Sequence, residues 1–317
     1  MRVITFPGQG TPIALDVFYT YLSQSSKQFR NIFHDARHAD LLRLIEAKPS
    51  NPSSIAACSN LLYKLYREFH PRIDEMCFLG HSLGELSCLA SGNRLYDVND
   101  VVAIAGRRNE LMIQATNKYI QADKDFGSRF EMWAISAPRS TNLKLELEAI
   151  FLDFPDICLA NINTPKQCVI TGPEKKLKEL KHKLSKLVPR CRIVPLTNPA
   201  GIAFHNKCVL RQIQEPLHDF MWTKLKEQGL HVKRELDHPI ISNFNGRIVY
   251  NVDEALENFV KCSSDTVQFV HCCETLDKIE VEETVHIGPG TVISGLVKKN
   301  LPNLKYKEWN SVESILS

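Results

Sequence analysis

The chain has 317 residues, long enough to bury a substantial core, with 44 % hydrophobic and 24 % charged residues, the balance of an ordinary globular enzyme. Its 39 Lys and Arg against 36 Asp and Glu leave a formal charge of +3, too mild to point to nucleic acid, and no apolar run of about eighteen residues exists to form a transmembrane segment. The ten cysteines form no CxxC pair and several sit inside apolar runs, so they read as buried thiols of a reducing compartment and speak against a bound metal.

Only Met1 and Arg2 precede the first expected strand, Val3 to Phe6, which leaves no room for a removable leader. Pro7-Gly8-Gln9-Gly10 must then turn. Its glycines lack the third partner and the helix start of a dinucleotide fingerprint, because Thr11-Pro12 interrupts, so the turn is read as a carrier of backbone donors. Helical pieces follow from Val17 to Ile45. Asn51-Pro52-Ser53-Ser54 breaks the chain, and Ile55 to Tyr66 repeats Ile55, Leu61, Leu62 and Leu65 near one helix face, with Pro52 in the first turn where its missing N–H costs nothing. Met76 to Leu79 is a compact apolar strand that runs straight into Gly80-His81-Ser82-Leu83-Gly84 and a helix. Another helix begins near Asp97 or Asn99 and carries Val101, Ile104, Ala105, Leu111 and Met112.

Beyond residue 120 the pattern changes. Strands are expected at Phe130–Ile135, Ile157–Ala160, Gln167–Thr171 and Cys191–Leu196, with helices at Leu143–Leu152 and Pro173–Leu187. Asn161 to Pro165 is read as the loop between the middle strands. In the basic helix Leu177, Leu180, Leu184 and Leu187 are placed on one face. This order is the split βαβ arrangement of a ferredoxin-like α+β unit. It is placed at residues 129–197, inserted into one large α/β domain made of residues 1–128 and 198–317. That domain resumes with helices at Val209–Leu217 and Asp219–Gln228, extended chain at Pro239–Ser242 and Ile248–Val249, and helices at Leu256–Val260 and Val267–Leu276. A strand at Val285–Ile287 closes on Gly288-Pro289-Gly290, and a final helix opens at Val292.

Gly80-His81-Ser82-Leu83-Gly84 has the G-x-S-x-G form of a nucleophile elbow, and the preceding strand supplies the context such an elbow needs. The turn is so sharp that side chains two residues either side of the serine would collide. In return the Ser82 hydroxyl stands exposed at the top of a sheet, at the start of a helix. A serine attacking a thioester or ester needs a base. Of eleven histidines, His205 is placed by its setting, at the end of the apolar, glycine-bearing loop Asn198 to Phe204; a loop histidine with its own hydrogen bonds is the bland alternative. His34 and His38 stand four apart, but nothing supplies further metal ligands. On these residues alone, a serine hydrolase, an acyltransferase and a non-catalytic carrier-binding module all remain open.

Phe6-Pro7-Gly8-Gln9-Gly10, Gly80-His81-Ser82-Leu83-Gly84-Glu85, Phe204-His205 and His286-Ile287-Gly288-Pro289-Gly290, in this order, resemble the motifs of the malonyl-coenzyme A:acyl carrier protein transacylases, with the fungal mitochondrial branch the most alike, over residues 1 to about 299. The resemblance implies a large α/β-hydrolase-like domain, a mitochondrial location, malonyl-coenzyme A as substrate with no permanently bound cofactor, and acyl carrier protein as partner. It implies Ser82 as the acylated nucleophile, His205 as base, the backbone N–H groups of Gln9 and Leu83 as oxyanion hole, and Arg108 as partner of the malonyl carboxylate. Asn161 would lie close to the cleft. Asn51 stands where the family usually has glutamine before a proline, and the residue that orients the histidine has no clean counterpart in Lys261-Cys262-Ser263-Ser264, so the group that orients His205 stays open, a backbone carbonyl being one candidate. Arg108 lies one turn from Ile104, on the apolar face, whereas Arg107 points about 100° away toward solvent or a surface acid. Basic clusters at Lys178, Lys181, Lys183, Lys186, Arg190 and Arg192, and at Lys298 and Lys299, are candidates for docking an acidic carrier.

Overall fold

The computed structural model describes residues 1–71, 76–122, 129–188 and 190–317. The chain opens with strand β1 (Arg2–Phe6), then α1 (Leu15–Leu22), α2 (Lys27–Phe33), α3 (Ala39–Ala47) and the long α4 (Pro52–Phe69). Asn51 caps α4, its side-chain oxygen accepting the Ser53 N–H at 2.9 Å, and Pro52 occupies the first turn. Ser53 and Ser54 therefore belong to the helix rather than to a break before it. Helix α4 is buried along most of its length, so its apolar face is wider than the residues Ile55 to Leu65 suggested.

Strand β2 (Met76–Gly80) leads through the elbow into α5 (Gly84–Ser87), a π-helical turn (Cys88–Gly92) and α6 (Val98–Ala122). Next come β3 (Phe130–Ser136), α7 (Leu143–Phe151), β4 (Cys158–Thr164), β5 (Gln167–Pro173), α8 (Glu174–Leu187) and β6 (Arg192–Leu196). The rest is α9 (Lys207–Leu210), α10 (Gln214–Glu227), β7 (Glu235–Ile241), β8 (Ile248–Asn251), α11 (Val252–Cys262), α12 (Phe269–Lys278), β9 (Glu283–Ile287), α13 (Val292–Asn300), β10 (Lys305–Trp309) and α14 (Val312–Leu316).

Two sheets result. The larger has the order β10-β9-β1-β2-β7-β8, parallel except for β8, which pairs antiparallel with β7 at the edge. Its central strands are covered on both faces, which is why Cys77, Phe78 and Leu79 are all wholly buried and read as an unbroken apolar run. The smaller sheet, β4-β5-β3-β6, is antiparallel, with α7 and α8 packed on it. Numbered within the unit its order is 2-3-1-4, that of the ferredoxin-like fold expected. The molecule is thus a large α/β domain with a small α+β subdomain. The expected boundary at 128/129 touches residues 123–128, which lie outside the described residues.

Several expectations are corrected. Strand β4 does not stop at Ala160 but continues through Asn161 to Thr164, with register shifts after Leu159 and Ile162; polar side chains hid it. Leu187 is 55 % exposed, off the face on which Leu177, Leu180 and Leu184 are fully buried. The break near His218 lies earlier, at a 3₁₀ turn over Arg211–Ile213, because Pro216 falls in the first turn of α10, where it is tolerated. The helix at Val292 is not the last element, since β10 and α14 follow. β10 was hidden because it is an edge strand, Lys305-Tyr306-Lys307-Glu308-Trp309, that buries only Trp309. All ten cysteines are free; seven are buried, and Cys208 is exposed. No described helix is long and apolar enough to cross a membrane.

Candidate active site

Strands β1 and β2 end together, with Phe6 opposite Gly80, so the turn at residues 7–10 and the elbow emerge side by side. The His81 N–H donates to the Phe6 carbonyl at 3.0 Å. Ser82 has φ +50°, in the left-handed region that costs a non-glycine residue about 1–3 kcal/mol unless its surroundings enforce it. Both flanking glycines are required by space. A Cβ on Gly80 would stand 2.0 Å from the Glu85 nitrogen, and one on Gly84 would stand 2.3 Å from the Phe6 oxygen.

His205 arrives from the far side of the small subdomain, 123 residues later. It is 4 % exposed, and its φ is +55°. Its Nε2 lies 2.9 Å from Ser82 Oγ, and its Nδ1 lies 2.8 Å from the Cys262 carbonyl and 3.0 Å from that of Asp265. Carbonyls only accept, so Nδ1 carries the proton and Nε2 presents its lone pair to the serine. Burial, with the Arg108 charge in second place, lowers the His205 pKa to about 3. The ring is therefore neutral at neutral pH and able to take a proton. The histidine's orienting groups are two backbone carbonyls at the end of α11.

Arg108, from the middle of α6, is 2 % exposed. Its Nη2 donates to Ser82 Oγ at 3.2 Å, its Nε donates to Ser263 Oγ at 2.9 Å, and its guanidinium carbon lies 5.8 Å from the centre of the Phe259 ring. Burial lowers its pKa to about 10, which still leaves it charged. It makes no ion pair with a described carboxylate. Arg107, by contrast, turns outward and pairs with Glu110 at 2.9 Å. Glu85 is buried beside the elbow, and burial raises its carboxyl to about 8.

The backbone N–H groups of Gln9 and Leu83 take part in no hydrogen bond among the described residues. They stand on the turn and on the residue after the nucleophile, where donors to a developing oxyanion would be needed. The Gln9 side chain donates to Asn109 Oδ1 at 3.1 Å, while its own Oε1 is buried without a partner. Asn161, on β4 rather than in a loop, places Nδ2 3.1 Å from His81 Nε2 and leaves Oδ1 unpartnered; its neighbour Ile162 donates to the Val267 carbonyl at 2.9 Å. It therefore reaches the elbow through His81 rather than through Ser82. Asn51 caps α4, and none of its hydrogen bonds reaches Ser82, His205 or Arg108. A cleft of about 1080 Å³ lined by Lys64, Arg67, Arg94 and Tyr96 contains none of these residues.

Sequence reasoning missed Ser263 as the anchor of Arg108, and Asn243, whose Oδ1 accepts the Ser82 N–H at 2.7 Å. The one available signal for Asn243 was its place just past the apolar end of the strand beside β2.

No family model matches the chain. It is 41 % identical to the mitochondrial malonyl CoA-acyl carrier protein transacylase of Saccharomyces cerevisiae, over 99 % of this chain and 97 % of the yeast protein. The fold matches the crystal structure of malonyl-CoA:acyl carrier protein transacylase from Helicobacter pylori with a TM-score of 0.80 at 21 % identity, covering 99 % of this chain and 96 % of the other. A malonyl-transacylase solved in complex with its type II polyketide acyl carrier protein matches with a TM-score of 0.73 at 19 % identity, over 99 % and 97 % of the two chains. A serine at an enforced elbow, a neutral histidine held by carbonyls and a buried arginine with no ion pair among the described residues thus occur in a chain that aligns over 99 % of its length with the yeast transacylase: it belongs to the malonyl-coenzyme A:acyl carrier protein transacylase family.

Proposed function

We propose that Ser82 is the nucleophile and His205 the general base in the transfer of malonyl from coenzyme A to acyl carrier protein, the reaction of this family and a step of fatty acid synthesis. The observation that carries this reading is the 2.9 Å contact between Ser82 Oγ and the unprotonated Nε2 of His205. Ser82 Oγ attacks the thioester carbonyl as its proton passes to Nε2. Negative charge gathers on the former carbonyl oxygen, where the Gln9 and Leu83 N–H groups receive it. The carbon–sulfur bond breaks, coenzyme A leaves with the proton from His205, and a malonyl ester remains on Ser82. The pantetheine thiol of the carrier then repeats the sequence in reverse. Arg108, whose Nη2 lies 3.2 Å from Ser82 Oγ, would hold the free carboxylate of that ester with two of its guanidinium N–H donors. Malonyl-coenzyme A is substrate, and the chemistry needs no resident cofactor.

Support for transfer over hydrolysis comes from Arg108, which a simple esterase has no need to bury. The test is intact mass and peptide mapping after mixing with malonyl-coenzyme A, then addition of carrier protein. A malonyl ester on Ser82 that moves to the carrier is expected. Label on another residue, or release of free malonate in place of transfer, overturns the reading. We further propose that the chain divides as expected, with residues 129–197 as the inserted unit, and that it works in mitochondria. The likeness to the yeast protein supports that location; protease protection in intact organelles tests it, and a purely cytosolic signal refutes it.

A further inference from the structure

Three hydrogen bonds around the elbow converge on a single residue, two of them on its side chain. Asn243 follows β7, the neighbour of β2 in the sheet, and is wholly buried. Its Oδ1 accepts the Ser82 N–H at 2.7 Å, its Nδ2 donates to the Gly80 carbonyl at 2.7 Å, and its own backbone N–H donates to Glu85 Oε1 at 3.0 Å. The orientation of the amide is not arbitrary, because an N–H can only donate and a carbonyl can only accept. One residue thus ties together the residue two before the serine, the serine itself and the residue three after it.

We propose that Asn243 is a positioning residue that holds Ser82 in its strained, reactive conformation and takes the Ser82 N–H out of the oxyanion hole. The proposal rests on Ser82 being the nucleophile. Holding φ at +50° needs surroundings that oppose relaxation, and the glycines supply only room. The amide supplies the restraint from a neighbouring strand. With φ held, Ser82 Oγ sits between His205 Nε2 and Arg108 Nη2. With its N–H committed to Asn243, Ser82 cannot aim that donor at the substrate, so the oxyanion falls to Leu83 and Gln9. The chemistry selects asparagine narrowly: aspartate could accept from Ser82 but would set a second oxygen against the Gly80 carbonyl, and alanine would leave two buried backbone groups unpaired.

The test compares Asn243→Ala and Asn243→Asp with the parent, as full-length protein, by single-turnover acylation with malonyl-coenzyme A. The rate constant per folded molecule and the half-saturating concentration are read separately, along with labelling of Ser82 by a fluorophosphonate probe that needs no malonyl site. A displaced nucleophile should lower the acylation constant by about 10- to 100-fold. The half-saturating concentration should stay within about threefold, and probe labelling should fall in parallel. If the alanine variant does not fold, the aspartate variant, of the same shape, carries the test. A fall of less than about tenfold, or a loss confined to half-saturation, overturns the proposal. Label away from Ser82 in the parent would instead overturn the nucleophile assignment, and it is seen before any Asn243 variant is made.

Discussion

Replacing Arg108 by alanine should separate malonyl from acetyl transfer. The guanidinium is almost wholly buried, is anchored by the neutral Ser263 hydroxyl and has no described carboxylate as ion-pair partner, so its charge awaits an anion from outside. A malonyl carboxylate bound there makes charge-assisted hydrogen bonds worth about 1.5–3 kcal/mol each, and truncating one partner of such a buried pair costs about 2–5 kcal/mol. Taking about 3–4 kcal/mol at about 1.4 kcal/mol per factor of ten, kcat/KM for malonyl-coenzyme A should fall about 10²- to 10³-fold. Acetyl-coenzyme A has no carboxylate to lose, so its kcat/KM should change by less than about fivefold, on the same energy scale. A second signature follows from electrostatics. Arg108 helps to depress the His205 pKa, so its removal should move the acid limb of Ser82 acylation upward, toward the ordinary value of 6.5. Arg107→Ala, which removes only a partner of Glu110, should do neither. The assay is steady-state kinetics with both thioesters and a pH profile of rapid-quench acylation. Equal losses for both substrates would make Arg108 a structural residue and refute the specificity argument.

Further outcomes are expected. His205→Ala should slow Ser82 acylation by about 10²- to 10⁴-fold in rapid-quench experiments; a rate within about threefold of the parent removes it as base. Gly84→Ala places a Cβ 2.3 Å from the Phe6 oxygen, a backbone atom that cannot yield cheaply, and should lower stability in denaturant titrations by about 1–3 kcal/mol while abolishing acylation. Burial holds His81 and His286 near a pKa of about 4, as well as His205 near about 3, so the unfolded chain binds protons that the native one refuses. Stability should therefore fall as pH drops below 6.5, by about 1.4 kcal/mol per pH unit for each group. Glu85 acts in the opposite sense, because its pKa is raised from 4.5 to about 8: relative to Glu85→Gln the parent should lose stability as pH rises across that range and level off above it. Finally, among the described residues Lys298 and Lys299 stand outside any ion pair, as do Lys181, Lys186, Arg190 and Arg192 of the first basic cluster, in which Lys178 pairs with Glu174 and Lys183 with Asp153. Charge reversal of Lys298 and Lys299 should weaken carrier affinity more than reaction with malonyl-coenzyme A, and unchanged affinity would place docking elsewhere.

The amino-acid sequence by itself determined the parts of this protein whose causes are local. Two glycines around Ser82 announce a turn that nothing larger fits, an unbroken apolar run at Met76–Leu79 announces a doubly covered parallel strand, and alternating strand and helix patterns over residues 130–196 announce the ferredoxin-like unit. Where burial is weak the signal fades, as in the charged edge strand β10 and the asparagine-rich end of β4. Only the tertiary structure decided who meets whom. It brought His205 to Ser82 across 123 residues, set the carbonyls of Cys262 and Asp265 on Nδ1, gave Arg108 a neutral anchor in Ser263, and laid the Asn243 amide across the elbow. Spacing and composition singled out some of these residues but could not say which of them meet. A backbone carbonyl has no side-chain identity to read, and a single buried amide looks like any other asparagine until the sheet places β7 beside β2.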